Sequence, residues 1–280
     1  VYKKIKITPR GDKLLLEGEN TDILKLCVVL DSLIYFLKRN DDLNESNLNQ
    51  IINGKGDKLL RPESGRVILF GTNKKKIKAH TLNQIKIIEA FENNDMVFAI
   101  GPAGTGKTYT GVALAVKALK DKDVKRIILT RPAVEAGENL GFLPGDLKDK
   151  LDPYMQPLYD ALKEMIQIEK LDDYIKRGII EIAPLAYMRG RTLDNAFVIL
   201  DEAQNTTENQ MKMFLTRMGK KAKFMITGDP GQIDLPKSSM SGLKQANILL
   251  QKIDGIDIVY LDGSDVIRHK LVRSIIDAYN

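Results

Sequence analysis

Tryptophan is absent from this 280-residue chain, and cysteine occurs once, at Cys27. A single thiol cannot close an internal disulfide. With only His80 and His269 to add imidazole, a cysteine-based zinc site has almost nothing to build on. No apolar run approaches the ~20 residues of a membrane span, so no membrane partner is expected. The first residues, Val1-Tyr2-Lys3-Lys4, carry neither an initiator Met nor an apolar signal segment. They read as the start of a chain missing its leading residues, and a reduced cytoplasm is the expected location. Charge of neither sign dominates: 43 basic against 37 acidic side chains give +6, which permits a polyanionic partner without demanding one. What the sequence has in quantity is apolar residues, at 43%. That suffices for a sizeable core without covalent staples, in one large domain or two modest ones.

Residues 1–40 read as a small unit. Lys4–Ile7 and Lys13–Leu16 resemble short strands around the turn Arg10-Gly11-Asp12. Thr21–Leu37 follows with helical spacing of its apolar residues. Residues 41–77 read as a linker: Asn-, Asp- and Gly-rich at first, with at most one short helix near Leu48–Ile52, then the solvated basic loop Lys74–Lys78. From about residue 78 strand-like runs alternate with helical segments. The runs are Met96–Ile100, Arg126–Thr130, Ile179–Ala183, Ala196–Leu200, Lys223–Thr227 and Ile256–Leu261. The helical segments include Lys107–Leu119, Leu147–Gln167, Glu208–Arg217 and Leu243–Ile253. Nearly continuous apolar strands imply a parallel sheet covered on both faces, so residues 78–280 are expected to form an α/β, doubly wound, mainly parallel domain.

The segment Gly101-Pro102-Ala103-Gly104-Thr105-Gly106-Lys107-Thr108 fits G-x-x-x-x-G-K-[ST] at every fixed position, after a strand and before an amphipathic helix. Glycines let the backbone curl so that successive N–H groups point at phosphate oxygens, and the following helix adds its positive end. Lys107 can reach the β- and γ-phosphates, and the Thr108 hydroxyl can hold Mg²⁺.

A second motif narrows the chemistry. Phe197-Val198-Ile199-Leu200 runs into Asp201-Glu202-Ala203-Gln204, putting two carboxylates at a strand's C-terminal end, where ligands bind in open α/β sheets. Asp201 is the candidate Mg²⁺ carboxylate and Glu202 the candidate base for an attacking water. A third strand ends in Thr227-Gly228-Asp229-Pro230-Gly231-Gln232, with Gln232 as candidate γ-phosphate sensor. Asp229 is the alternative, and Gly-Asp-Pro-Gly is also plain turn chemistry. Met211, Phe214, Leu215 and Met218 recur at helical spacing behind a capping-box pattern at Thr207–Gln210 and read as core.

These segments, together with Leu129–Glu138, Gly141–Gly145, Arg189–Leu193 and Gly228-Asp229 through Leu235-Pro236, closely resemble the PhoH-like family of bacterial P-loop ATPases, which is related to superfamily-1 helicase cores. The resemblance covers residues 78–280. It implies a RecA-like P-loop core, ATP and Mg²⁺ as ligands, and cytoplasmic RNA metabolism with single-stranded RNA as a partner. It also implies a ring-like homo-oligomer. The first forty residues resemble the later part of a KH-like N-terminal domain, without the GXXG loop that would clamp nucleic acid. Gly231 stands where the family commonly has Thr. By similarity, Thr81-Leu82-Asn83-Gln84 resembles the helicase glutamine motif, with Gln84 reading the adenine edge; the same residues equally read as a helix start. The nucleotide contacts implied are Gln84, Gly101 to Thr108, Tyr109 and Arg131.

Phosphoryl transfer wants a positive group at the γ-phosphate. Arg131, Arg189, Arg191, Arg268 and Arg273 are available. One of these, with Arg268 among the catalytic candidates, is expected to act as a finger across a subunit interface, since the chain holds only one ATPase core. Tyr154, Arg189 and Arg191 are candidate RNA contacts. Two functional classes remain: an ATPase coupled to RNA remodelling, and an ATP-switched module that recruits an RNA-processing protein. A small-molecule kinase would need an arginine-rich lid after the core, which this sequence lacks.

Overall fold

The computed structural model describes residues 5–11, 13–37, 43, 45–52, 65–132, 147–236 and 239–266. The chain divides into two compact units, Val1–Ser64 and Gly65–Asn280.

In the first unit, β1 (Lys6–Arg10) and β2 (Lys13–Glu17) pair antiparallel, with Arg10 opposite Lys13. Gly11 turns between them at φ +60°. The hairpin lies where the turn signal put it, although β1 starts two residues later than the apolar pattern indicated. Helices α1 (Asn20–Leu37) and α2 (Glu45–Ile52) complete the unit, with Leu26, Phe36 and Ile51 buried.

The second unit opens with a hairpin of β3 (Arg66–Phe70) and β4 (Lys76–Ala79). Residues 65–77 therefore belong to this unit, not to a linker, and Lys76–Ala79 is a strand where a solvated loop was expected. The reason is period-2 alternation masked by lysines. Ile77 and Ala79 are buried, while Lys76 and Lys78 alternate with them on the other face.

The core is a six-stranded all-parallel sheet in the order β10-β5-β9-β8-β6-β7. Its strands are β5 (Met96–Ile100), β6 (Arg126–Arg131), β7 (Ile180–Pro184), β8 (Ala196–Leu200), β9 (Lys223–Gly228) and β10 (Ile256–Tyr260). Every residue of β5 and β8 is buried, as a sheet covered on both faces requires. Each fully buried large apolar side chain here, such as Phe98 or Ile128, contributes about 1.5–3 kcal/mol.

The covering helices are α3 (Leu82–Asn93), α4 (Lys107–Lys120), α5 (Leu147–Met165), α6 (Ile168–Lys176), α7 (Glu208–Leu215) and α8 (Gly242–Leu249). The α7 start is a complete capping box between Thr207 and Gln210. Met211 and Phe214 are fully buried, with Leu215 and Met218 packed against the same core. The helix expected to end at Gln167 stops at Met165, and α6 restarts at Ile168.

Two features set the position of α4. It begins at Gly106, whose φ of +77° only glycine adopts without strain. One turn on, Gly111 lies so close to the sheet that a Cβ there would sit 2.5 Å from Met225 Sδ.

Candidate active site

Strand β9 lies between β5 and β8, so the three strand ends that carry the motifs are neighbours. Ile100 pairs with Gly228, and Leu200 with Ile226. The Gly101 N–H donates to Gly228 O (3.0 Å), and the Asp201 N–H donates to Thr130 O (2.9 Å), stitching the edge together. The loop after β5 curls through Gly104 and Gly106, both at positive φ. Thr105 Oγ1 braces it on Pro102 O at 2.9 Å. The N–H groups of Gly104, Thr105 and Gly106 have no protein acceptor among the described residues. Loop amides without acceptors suit phosphate oxygens.

Lys107 lies inside this curl, with its ammonium on Gly101 O (2.6 Å) and Pro102 O (2.7 Å). Burial lowers its pKa, and Asp229, Glu202 and Asp201 act in the opposite direction. Thr108 Oγ1 donates to Asp201 Oδ1 at 2.6 Å, the contact that joins loop to strand-end acid. Asp201 is 2% exposed. It also accepts from the Thr227 hydroxyl and from Arg131, whose Nε lies 2.8 Å from Oδ2.

Glu202 differs from its neighbour. It sits at φ 54°, a left-handed conformation costly for a non-glycine residue and typical of functional sites. Its side chain is half-exposed, accepts from Gln204 Nε2 at 2.7 Å and lies 4.0 Å from Arg131. Gln204 Oε1 in turn accepts from the Asp229 N–H (3.0 Å), while Asp229 Oδ2 accepts from the Ala103 N–H (3.0 Å). Asp229 thus ties the third strand end to the phosphate loop.

These groups line one cleft of about 450 Å³. Ala103, Gly104, Gly106, Lys107, Thr108, Tyr109, Arg131, Asp201, Glu202, Asp229 and Gln232 all border it. Gln232 is exposed at its rim.

Gln84 lies behind the phosphate loop. It is 3% exposed, does not border the cleft, and has both ends of its carboxamide committed. Nε2 donates to Thr105 O (2.8 Å) and Oε1 accepts from the His80 N–H (2.7 Å). Thr81 caps α3 by accepting from the Gln84 N–H. This motif therefore braces the phosphate loop from behind and starts a helix. Arg191 is engaged bidentately by Glu181 (2.6 and 2.7 Å), which raises its pKa, and Arg189 is exposed. Arg268 and Arg273 lie outside the described residues, and so does the side chain of Tyr154.

Sequence reasoning missed Thr227 and Gln204 as supports of the two acids. Both stood inside segments already singled out. It also missed Pro157, Asp160, Ala161 and Glu164, which form a further wall of the cleft from α5 and belong to no motif.

Could Mg²⁺ be held here? Thr108 and Asp201 offer a hydroxyl and a carboxylate 2.6 Å apart beside the acceptor-less loop. Among the described residues no cluster of three or more His, Cys, Asp or Glu could hold a metal. One carboxylate and one hydroxyl fit Mg²⁺ as an ion that keeps waters and shares phosphate oxygens.

A curled amide ring coupled through one threonine to a strand-end acid defines, by class, a P-loop nucleoside-triphosphate fold. Comparison with known proteins names the family. The family model described as PhoH-like protein matches residues 76–280. The PhoH-like protein of Bacillus subtilis is 50% identical over 279 residues, covering 99% of this chain and 88% of that one. That of Mycobacterium bovis is 49% identical over 273 residues, covering 96% and 77%. Protein PhoH of Escherichia coli is 44% identical over 206 residues, covering 73% and 58%. The chain belongs to the PhoH-like family. Among solved structures, Pif1 helicase from Candida albicans aligns with a TM-score of 0.39 at 13% identity, over 72% of this chain and 43% of that one. No helix among the described residues is long and apolar enough to cross a membrane.

Proposed function

We propose that this protein is a Mg²⁺-dependent ATPase whose turnover is coupled to binding or remodelling single-stranded RNA, working as a ring-like homo-oligomer in the cytoplasm. The observation that carries the catalytic part is the 2.6 Å hydrogen bond from Thr108 to Asp201, set beside loop amides that lack acceptors. The loop amides and Lys107 bind the β- and γ-phosphates. Glu202, half-exposed and hinged on Gln204, orients a water on the γ-phosphoryl group and takes its proton. Gln232, at the rim, senses the γ-phosphate. Asp201 and Thr108 would hold Mg²⁺, which would supply positive charge beside the phosphate oxygens. Arg131 enters the site from β6, and Arg268 serves as the finger from a neighbouring subunit. The RNA part rests on family membership, the net charge of +6 and the exposed Tyr187 and Arg189.

The test is steady-state hydrolysis by wild type and Glu202→Gln, with and without single-stranded RNA. The substitution should cut kcat by about 10²–10⁴ while leaving ATP binding intact. Unchanged turnover removes Glu202 as the base.

One observation favours a second reading, an ATP-switched module recruiting an RNA-processing protein. Arg131 pairs with the metal carboxylate and stands at the start of the segment leading to α5, so a nucleotide that draws Arg131 to its phosphates would act on that segment. Slow turnover indifferent to RNA supports this second reading.

A further inference from the structure

The cleft has two walls. One is the sheet edge, carrying Arg131, Asp201, Glu202, Gly228, Asp229 and Gln232. The other is one face of α5, carrying Pro157, Asp160, Ala161 and Glu164. Their spacing is i, i+3, i+4, i+7, a single helical stripe. Phosphate chemistry uses none of it.

A nucleoside triphosphate has two unlike ends. The reacting end belongs beside Thr108, with Asp201 and Glu202 on the first wall, and the loop takes the middle phosphate. The nucleoside must leave the loop on another side. Of the described residues that line the cleft, Tyr109 and the α5 stripe are those left to meet it. Gln84 does not compete, since its carboxamide is already spent on Thr105 and His80.

We propose that α5 holds the nucleoside half of the nucleotide, with ribose hydroxyls donating to Asp160 and the base lying against Tyr109, Pro157 and Ala161. This rests on the phosphate reading above. Asp160 suits the sugar. Its contacts to Gln156 (2.7 Å) and Lys163 (3.9 Å) both fall on Oδ1, and Oδ2 has no partner among the described residues. A vicinal diol brings two O–H donors, and a carboxylate only accepts. Glu164, one turn on, has another task. Its Oε2 accepts from the Tyr109 hydroxyl (3.0 Å) and from Lys75 Nζ (2.5 Å). Burial and that carboxylate push the Tyr109 pKa up to about 12, and the hydrogen bond holds its ring in place. Glu164 is thus a positioning residue acting through Tyr109.

Equilibrium binding of ATP, 2′-deoxy-ATP, 3′-deoxy-ATP and inorganic tripolyphosphate to the full chain tests the assignment. Wild type should prefer ATP over each deoxy nucleotide by about tenfold, the worth of one charge-assisted hydrogen bond. Asp160→Ala should bring ATP to the level of the deoxy nucleotides and leave the tripolyphosphate Kd unchanged. Asp160→Asn, which keeps an acceptor, should restore part of the preference, and Tyr109→Leu should weaken ATP but not tripolyphosphate. The Asp160 side chain is 62% exposed, so these variants retain the fold. A wild type blind to the ribose hydroxyls, or an Asp160→Ala protein that keeps the full preference, overturns the proposal. A wild type that binds neither tripolyphosphate nor ATP overturns the phosphate reading first and this one with it.

Discussion

The two walls of the cleft are built on opposite plans. The sheet-edge wall draws side chains from the ends of β6, β8 and β9 and locks them to one another. Asp201 alone holds Thr108, Thr227 and Arg131. The α5 wall comes from one helix, and its carboxylates are 62% and 45% exposed, against 2% for Asp201. Rigidity is concentrated where bonds would change, and the exposed helix face is left for recognition. A strand end cannot move without its neighbours, whereas a helix face can be altered one residue at a time.

That contrast can be broken by mutation, and the largest effect belongs to the loop both walls share. Lys107→Ala should abolish nucleotide binding and lower hydrolysis by about 10³-fold or more, measured by ATP titration and turnover. Arg131→Ala attacks the locked wall. It leaves a buried carboxylate short of its charge partner and should lower stability by about 2–3 kcal/mol, read as a shift in denaturant midpoint. A shift below half that size would mean the wall is not held by its ion pair. Tyr109→Phe attacks the open wall and should matter least. It removes one partly exposed hydrogen bond worth about 0.5–1 kcal/mol, raising the KM for ATP a few-fold with kcat unchanged. If kcat falls as steeply as in Glu202→Gln, the two walls are not separable and the contrast fails.

The sequence made one wall legible and hid the other for the same structural reason. Residues at strand ends are contiguous in sequence, so Gly101–Thr108, Asp201-Glu202 and Thr227–Gln232 announce themselves as short motifs after apolar runs. The α5 residues are spaced by the helical repeat, and Pro157, Asp160, Ala161 and Glu164 spell nothing when read along the chain. The β3–β4 hairpin was lost because lysines on its outer face swamped the buried Ile77 and Ala79. Gln84 shows a different limit. Its position before the loop was plain, but whether its amide faces a base or the backbone of Thr105 depends on a contact 21 residues away in sequence. Thr227 reads along the chain only as a strand residue, because the hydroxyl contact that gives it a task spans 26 positions, to Asp201.

The close seat of Gly111 on Met225 reaches into the chemistry without touching it. Gly111 lies three residues beyond Thr108, on the same rigid rod, so the height at which that rod rests on the sheet is also the height of the threonine hydroxyl above Asp201. One added methyl would have to displace either the Met225 side chain or the rod itself, and any rise of the rod would lengthen a 2.6 Å reach that tolerates little slack. The active site thus depends on a hydrogen atom one turn further along the helix, where no inspection of the cleft would think to look.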